Sequence, residues 1–161
     1  MLTAKTHTYL IHGLSGTPDV VEALLAGIPA DDPRWDYRLA PERFTLREAL
    51  AHIADWEPIW KMRVARIRAE DKPLIEDIDE GEVAIKNDYA HSNPLESIKR
   101  FREGRALLVA EYQTVADDEW ERYGLWVYMG TTPISVEGYL ALNSGHDGYH
   151  TQQIAQSLRA T

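Results

Sequence analysis

Apolar residues recur at helical spacing along most of this chain, and the last such stretch stands out for what interrupts it. Projected at about 100° per residue, Val136, Tyr139, Leu140, Asn143, His146, Asp147, His150, Ile154 and Leu158 form one continuous stripe. Its ends are apolar and its middle is polar. A second stripe, Leu46, Leu50, Ile53, Trp60, Val64 and Ile67, predicts a helix from the Thr45-Leu46-Arg47-Glu48 capping box to about Glu70. Glu57 falls in this stripe where an apolar residue is expected, and Pro58 should bend the helix or remove a hydrogen bond from its middle. A third helix opens at Asn93-Pro94, with Leu95, Ile98, Phe101, Leu108, Tyr112 and Val115 facing inward. Residues from about Leu2 to Ile28 are also helix-like, with Gly13, Ser15, Gly16 and Pro18 marking a kink or break.

Between these helices, Asp31 to Arg43 reads as a loop that carries Trp35 and Tyr37 over the bundle. Asp71 to His91 reads as a long acidic connection, and Trp120 to Pro133 as irregular or briefly extended. Ser135 is the expected cap of the last helix. No repeat, low-complexity segment or linker divides residues 1–161, which are expected to form one all-α domain.

The polar middle of the last stripe carries the chemistry. Burying Asn143, His146, Asp147 and His150 without partners would cost roughly 1–3 kcal/mol each. His146 and His150 are four apart, so on a helix both imidazoles share a face and can hold one metal ion. Gly138, Gly145 and Gly148 each weaken a helix, which fits close approach of another backbone or a ligand. Two plainer readings stand beside this one: the histidines bond to backbone or water, or the helix breaks at Asn143-Ser144-Gly145 and leaves them in a turn. His52, on the flank of the second stripe in line with Trp56, Ile59 and Arg63, is a third candidate ligand, because bundle metal sites draw on facing helices. Taken alone, His52 reads more readily as a boundary histidine bonded to a neighbour than as a ligand. Three imidazoles with one or more water positions would make an open, catalytic-type centre. His7, His12 and His91 read as surface or loop residues.

Composition narrows the options. The chain of 161 residues is 44% apolar and 9% aromatic, enough for a sizeable core. It has no cysteine, which excludes disulfides, a protein thiolate nucleophile and thiolate-bound metal centres. A metal would rest on imidazole, carboxylate, amide or water, which suits zinc, nickel, iron or manganese. A formal charge of −9 argues against nonspecific nucleic-acid binding. The basic residues between Lys61 and Arg68 and between Lys99 and Arg105 read as solvated helix faces. There is no run of about 20 apolar residues and no signal-peptide profile, so a cytoplasmic protein without a membrane partner is expected.

Two segments resemble a known family. Leu46-Arg47-Glu48-Ala49-Leu50-Ala51-His52-Ile53-Ala54-Asp55-Trp56-Glu57 and Asn143-Ser144-Gly145-His146-Asp147-Gly148-Tyr149-His150-Thr151-Gln152-Gln153-Ile154 are similar to the second-helix and last-helix motifs of the DinB/YfiT-like metalloenzymes. Thr17-Pro18 and Glu119-Trp120 extend the likeness over most of the chain. The resemblance implies a four-helix bundle with a long crossover, often a homodimer, with a divalent metal bound by His52, His146 and His150. Zinc or nickel is the expected ion, with iron or manganese as alternatives. It also implies Lewis-acid activation of a nucleophile, as in a transferase that uses a small thiol cosubstrate for stress or detoxification chemistry. A hydrolase acting through metal-activated water, and a non-catalytic metal or ligand sensor, are the alternatives.

Glu57 and Asp147 are the candidate catalytic carboxylates. Glu57 would orient a ligand or accept a proton, and Asp147, with Asn143, would fix an imidazole tautomer. Asp55 lies off the metal face. Gln153 is expected to line the site, while Trp56 and Trp60 read as core that could also wall a pocket.

Overall fold

The computed structural model describes residues 2–128 and 130–160. Four long helices carry the core: α1 (Ala4–Leu25), α2 (Leu46–Ala69), α4 (Pro94–Gln113) and α5 (Val136–Ala160), with a short α3 (Glu80–Lys86) between the second and third of them. Both α4 and α5 pack against α1 and against α2, so α1 lies diagonally across the bundle from α2. The connection from 26 to 45 therefore crosses the end of the bundle, which explains its length. Trp35 in this crossover is 0% exposed and donates Nε1–H to the Pro29 carbonyl at 2.6 Å, pinning the segment to the core.

Local chemistry places the helix ends. Thr45 and Glu48 form the reciprocal capping box that opens α2, and Asn93 Oδ1 accepts from Leu95 N and Glu96 N ahead of Pro94. Ser135 Oγ accepts from Gly138 N at 3.0 Å at the start of α5. Neither Pro18 nor Pro58 ends its helix. The helix α5 runs unbroken through Asn143, Ser144 and Gly145. The predicted core stripes of α2 and α5 are buried almost throughout, but Leu95 is 50% exposed rather than inward, because the buried face of α4 runs through Pro94, Ile98 and Phe101 and Leu95 lies off it.

The connections hold more structure than periodicity foretells. The acidic segment 71–91 contains β1 (Leu74–Glu76) and α3, and 120–135 contains β2 (Tyr123–Val127) and β3 (Thr131–Ser135). They form a three-stranded sheet in the order β1-β2-β3, parallel for the first pair and antiparallel for the second. Gly124 is required there: a Cβ would lie 2.9 Å from Ile75 Cγ1 and 3.0 Å from the Pro73 carbonyl oxygen. The sheet closes the end of the bundle beside Ile67 and leaves the opposite half of α2 and α5 for the polar layer.

Candidate metal centre

The helices α2 and α5 bring His52, His146 and His150 together, with one ring nitrogen from each lying within 4.8 Å of the other two. His52 Nε2 and His146 Nε2 are 3.1 Å apart. Two imidazole nitrogens bound to one tetrahedral ion at about 2.1 Å would stand roughly 3.4 Å apart, so the spacing suits a shared cation. Burial is the first cause that lowers all three pKa values, to about 2 for His52, about 3 for His146 and about 4 for His150. All three rings are therefore neutral at pH 7, the form that ligates metal.

The rings are held differently. The Gln153 side-chain amide donates to the Phe44 carbonyl at 3.0 Å, which turns its Oε1 towards His150 Nδ1 at 3.1 Å. That oxygen accepts a hydrogen bond from Nδ1–H, and the Nε2 lone pair of His150 is left facing the cluster. His52 is wedged between Trp56 and Phe44, with ring centroids 4.3 Å and 5.1 Å away. Its buried Nδ1 has no hydrogen-bond partner among the described residues. Trp60 meets His146 edge-on at 5.6 Å, so both tryptophans are buried core residues that also wall the site.

Beside the imidazoles lies a buried ion cluster. Arg105 on α4 is 2% exposed. It forks onto Glu57 of α2 at 2.7 and 2.8 Å and onto Asp147 of α5 at 2.5 and 2.8 Å. Its remaining donor reaches the Leu14 carbonyl of α1 at 2.8 Å. That carbonyl is available because residue 18, its usual helical partner, is a proline without an N–H. The proline read in sequence as a kink thus frees the acceptor through which α1 joins the cluster. Burial works against the Arg105 cation, yet the two carboxylates outweigh it and its pKa lies above the ordinary value. Burial pushes the Glu57 carboxyl up, opposed by its bonds to Arg105. Where α4 crosses α2, only glycine fits at 104, since a Cβ would lie 2.7 Å from Glu57 Cβ.

The two candidate carboxylates therefore border the imidazoles but bond to Arg105, and it is Gln153 that orients an imidazole. Asn143 accepts from the Tyr112 hydroxyl at 2.6 Å, and Asp55 lies away from the site, paired with Arg100. Three basic or histidine positions differ from the sequence reading. Arg105 and Arg63 are buried rather than solvated, and His7 is 5% exposed rather than on the surface. His7 stacks on Trp120 at 3.9 Å and bonds to Glu137 at 2.9 Å. A signal for Arg105 existed: it continues the Phe101, Leu108, Tyr112 face of α4, and the carboxylates inside two apolar stripes require a cation.

The sequence model of the DinB superfamily matches residues 14–154, a span that includes all three histidines. The chain belongs to this superfamily. Among solved structures, YfiT from Bacillus subtilis aligns with a TM-score of 0.91 at 20% identity, over 99% of this chain and 90% of YfiT. YfiT is described as a probable metal-dependent hydrolase with an unusual four-helix bundle topology; at this identity the likeness establishes the fold. No curated protein sequence matches the chain. As a DinB protein it has the expected bundle, with no described helix long and apolar enough to cross a membrane.

Proposed function

We propose that this DinB protein is a metal-dependent enzyme in which His52, His146 and His150 hold one divalent cation. The observation that carries the reading is the convergence of three neutral imidazoles, with the His150 tautomer set by Gln153. Zinc or nickel suits an all-nitrogen donor set, with iron or manganese less well matched. When both carboxylates are ionised, the adjacent Arg105 cluster carries one net negative charge, which favours a cation next to it.

A bound divalent ion would supply Lewis acidity, lowering the pKa of a water or thiol nucleophile towards neutrality. The protein does the rest. Trp56, Trp60 and Phe44 exclude water from the His52 side, and a cavity of about 430 Å³ opens onto His146 and His150. Hydrolysis is the reaction we favour, since water reaches this cavity without any further cosubstrate and the fold neighbour is described in the same terms. Transfer to a small solvent-borne thiol would use the same site, the chain having no cysteine. Glu57 and Asp147 act in either case by positioning, through Arg105.

Elemental analysis of tag-free protein beside His150→Ala tests the reading. About one metal per chain is expected in the parent and none in the variant, with helicity retained in both. Hydrolysis of model esters and amides should then depend on the metal and proceed without added thiol. Absence of metal from the parent after incubation with zinc, nickel and manganese would overturn it.

A further inference from the structure

The cavity over His146 and His150 has one permanent cation in its wall, Arg43. Most arginines of this protein are committed to carboxylates: Arg34, Arg38, Arg47, Arg66, Arg68, Arg100, Arg102 and Arg105 all form ion pairs. Arg43 forms none among the described residues. Its Nη1 donates to the Tyr149 hydroxyl, and its guanidinium carbon lies 5.0 Å from the centre of the Tyr149 ring. Tyr149 directly precedes His150, and their ring centroids are 4.9 Å apart. A single aromatic ring thus spans the interval between the cation and the imidazole.

The guanidinium is held in place rather than free to search. Residue 38 bridges residue 45 at the base of the loop that carries Arg43. Arg38 also donates to the Arg43 carbonyl at 2.5 Å while pairing with Glu48 at 2.9 Å. The next residue, Phe44, gives its carbonyl to Gln153, which in turn holds His150. The loop and the imidazole are therefore parts of one hydrogen-bonded unit. A guanidinium has five donors in a planar fork, and Tyr149 occupies one of them. The remaining edge suits a carboxylate, which it can meet with two parallel bonds. Glu42 and Glu80 line the same cavity and repel anions, so the single Arg43 guanidinium is what offsets one negative charge on a ligand, and a second would be unpaired.

We propose that Arg43 determines specificity in this cavity, and that the substrate is a small monoanion whose carboxylate seats on the Arg43 guanidinium while its reacting group faces His146 and His150. The inference rests on the metal-site reading above. Full-length protein loaded with cobalt(II) tests it without turnover, because a thiol probe bound at the ion produces a charge-transfer absorption. The probes are β-mercaptopropionate and its neutral amide, compared at equal thiolate concentration. The parent should bind the carboxylate on the order of tenfold more tightly than the amide. Arg43→Gln should bring the ratio to about one by weakening the carboxylate alone, and Arg43→Lys should retain part of the preference, as a cation without the fork. Equal binding of both probes by the parent would overturn the inference and leave the metal site standing. So would a preference that persists in Arg43→Gln, since chelation by the ion would then explain it. Failure of the parent to take up cobalt would overturn both readings together.

Discussion

Two polar layers lie side by side in the core of this bundle, and they differ in what satisfies them. In one, Arg105 directs its donors to Glu57, Asp147 and the Leu14 carbonyl, so that each of the four long helices contributes a partner. In the other, His52, His146 and His150 are three bases without an acid. One contact joins two of their nitrogens, and Gln153 serves only His150. A buried charge paired on every side within the chain is architecture, costly to break and chemically quiet. Neutral lone pairs that converge from two helices are suited to an electron-pair acceptor from outside. The first layer holds α2 and α5 in register, and the second uses that register.

The contrast predicts opposite responses to mutation. Arg105→Met would strand two carboxylates in the core and should destabilise the protein by about 3–5 kcal/mol. Adding Glu57→Leu and Asp147→Leu should return much of that stability, read from urea midpoints. A loss in the single variant no larger than about 1 kcal/mol, as for a surface pair, would remove the distinction. His150→Ala should cost the metal-free protein far less. Zinc at about a thousand times its dissociation constant should stabilise the parent by about 4 kcal/mol and leave His150→Ala unchanged. Equal zinc-induced shifts in the two proteins would place the metal elsewhere.

Acid should distinguish the layers next. Burial, joined by the neighbouring imidazoles for His52 and by His150 and Arg105 for His146, holds the three histidines at about 2, 3 and 4, against about 6.5 in an unfolded chain. Below that value the unfolded state binds more protons than the folded state, so stability declines as the pH falls from about 6.5 towards 4. Their full contribution is present above this window. His52→Phe should remove about 1.4 kcal/mol per pH unit from the slope within it, and an unchanged slope would mean that His52 is not held neutral. The mildest change concerns one amide side chain and its two hydrogen bonds. Gln153→Leu should lower zinc affinity by roughly 10–100-fold with little loss of stability, because the His150 tautomer is no longer set. Competition with a chromophoric chelator measures it.

Comparison of the layers also shows which parts of the protein are legible from residues alone. The histidine layer was, because His146 and His150 share an element at helical spacing and interrupt an apolar stripe. His52 joined them through the logic of facing helices and the family motifs. The arginine layer was harder to read. Glu57 and Asp147 were visible as polar residues in apolar stripes, but their common partner lies on a third helix, 48 residues from one and 42 from the other. Basic residues at helical spacing look solvated until the partner is in view. His7 was missed for the same reason, since its partners Trp120 and Glu137 are remote in sequence. The three short strands escaped periodicity because three to five residues are too few to display it, and they exist through pairing with one another.

What the sequence determined by itself is therefore what depends on near neighbours: the helical stripes, the caps at Thr45, Asn93 and Ser135, and the pair of imidazoles on one face of α5. Tertiary structure alone decided the matters that depend on distant ones. It brought His52 within 3.1 Å of His146, gave Arg105 two carboxylates and the carbonyl freed by Pro18, and set Gln153 between the crossover loop and His150. The physical reason is that hydrophobic burial acts on each helix face and leaves a periodic trace in the chain. A buried polar group is stabilised only by a specific partner, and that partner can come from anywhere in the fold.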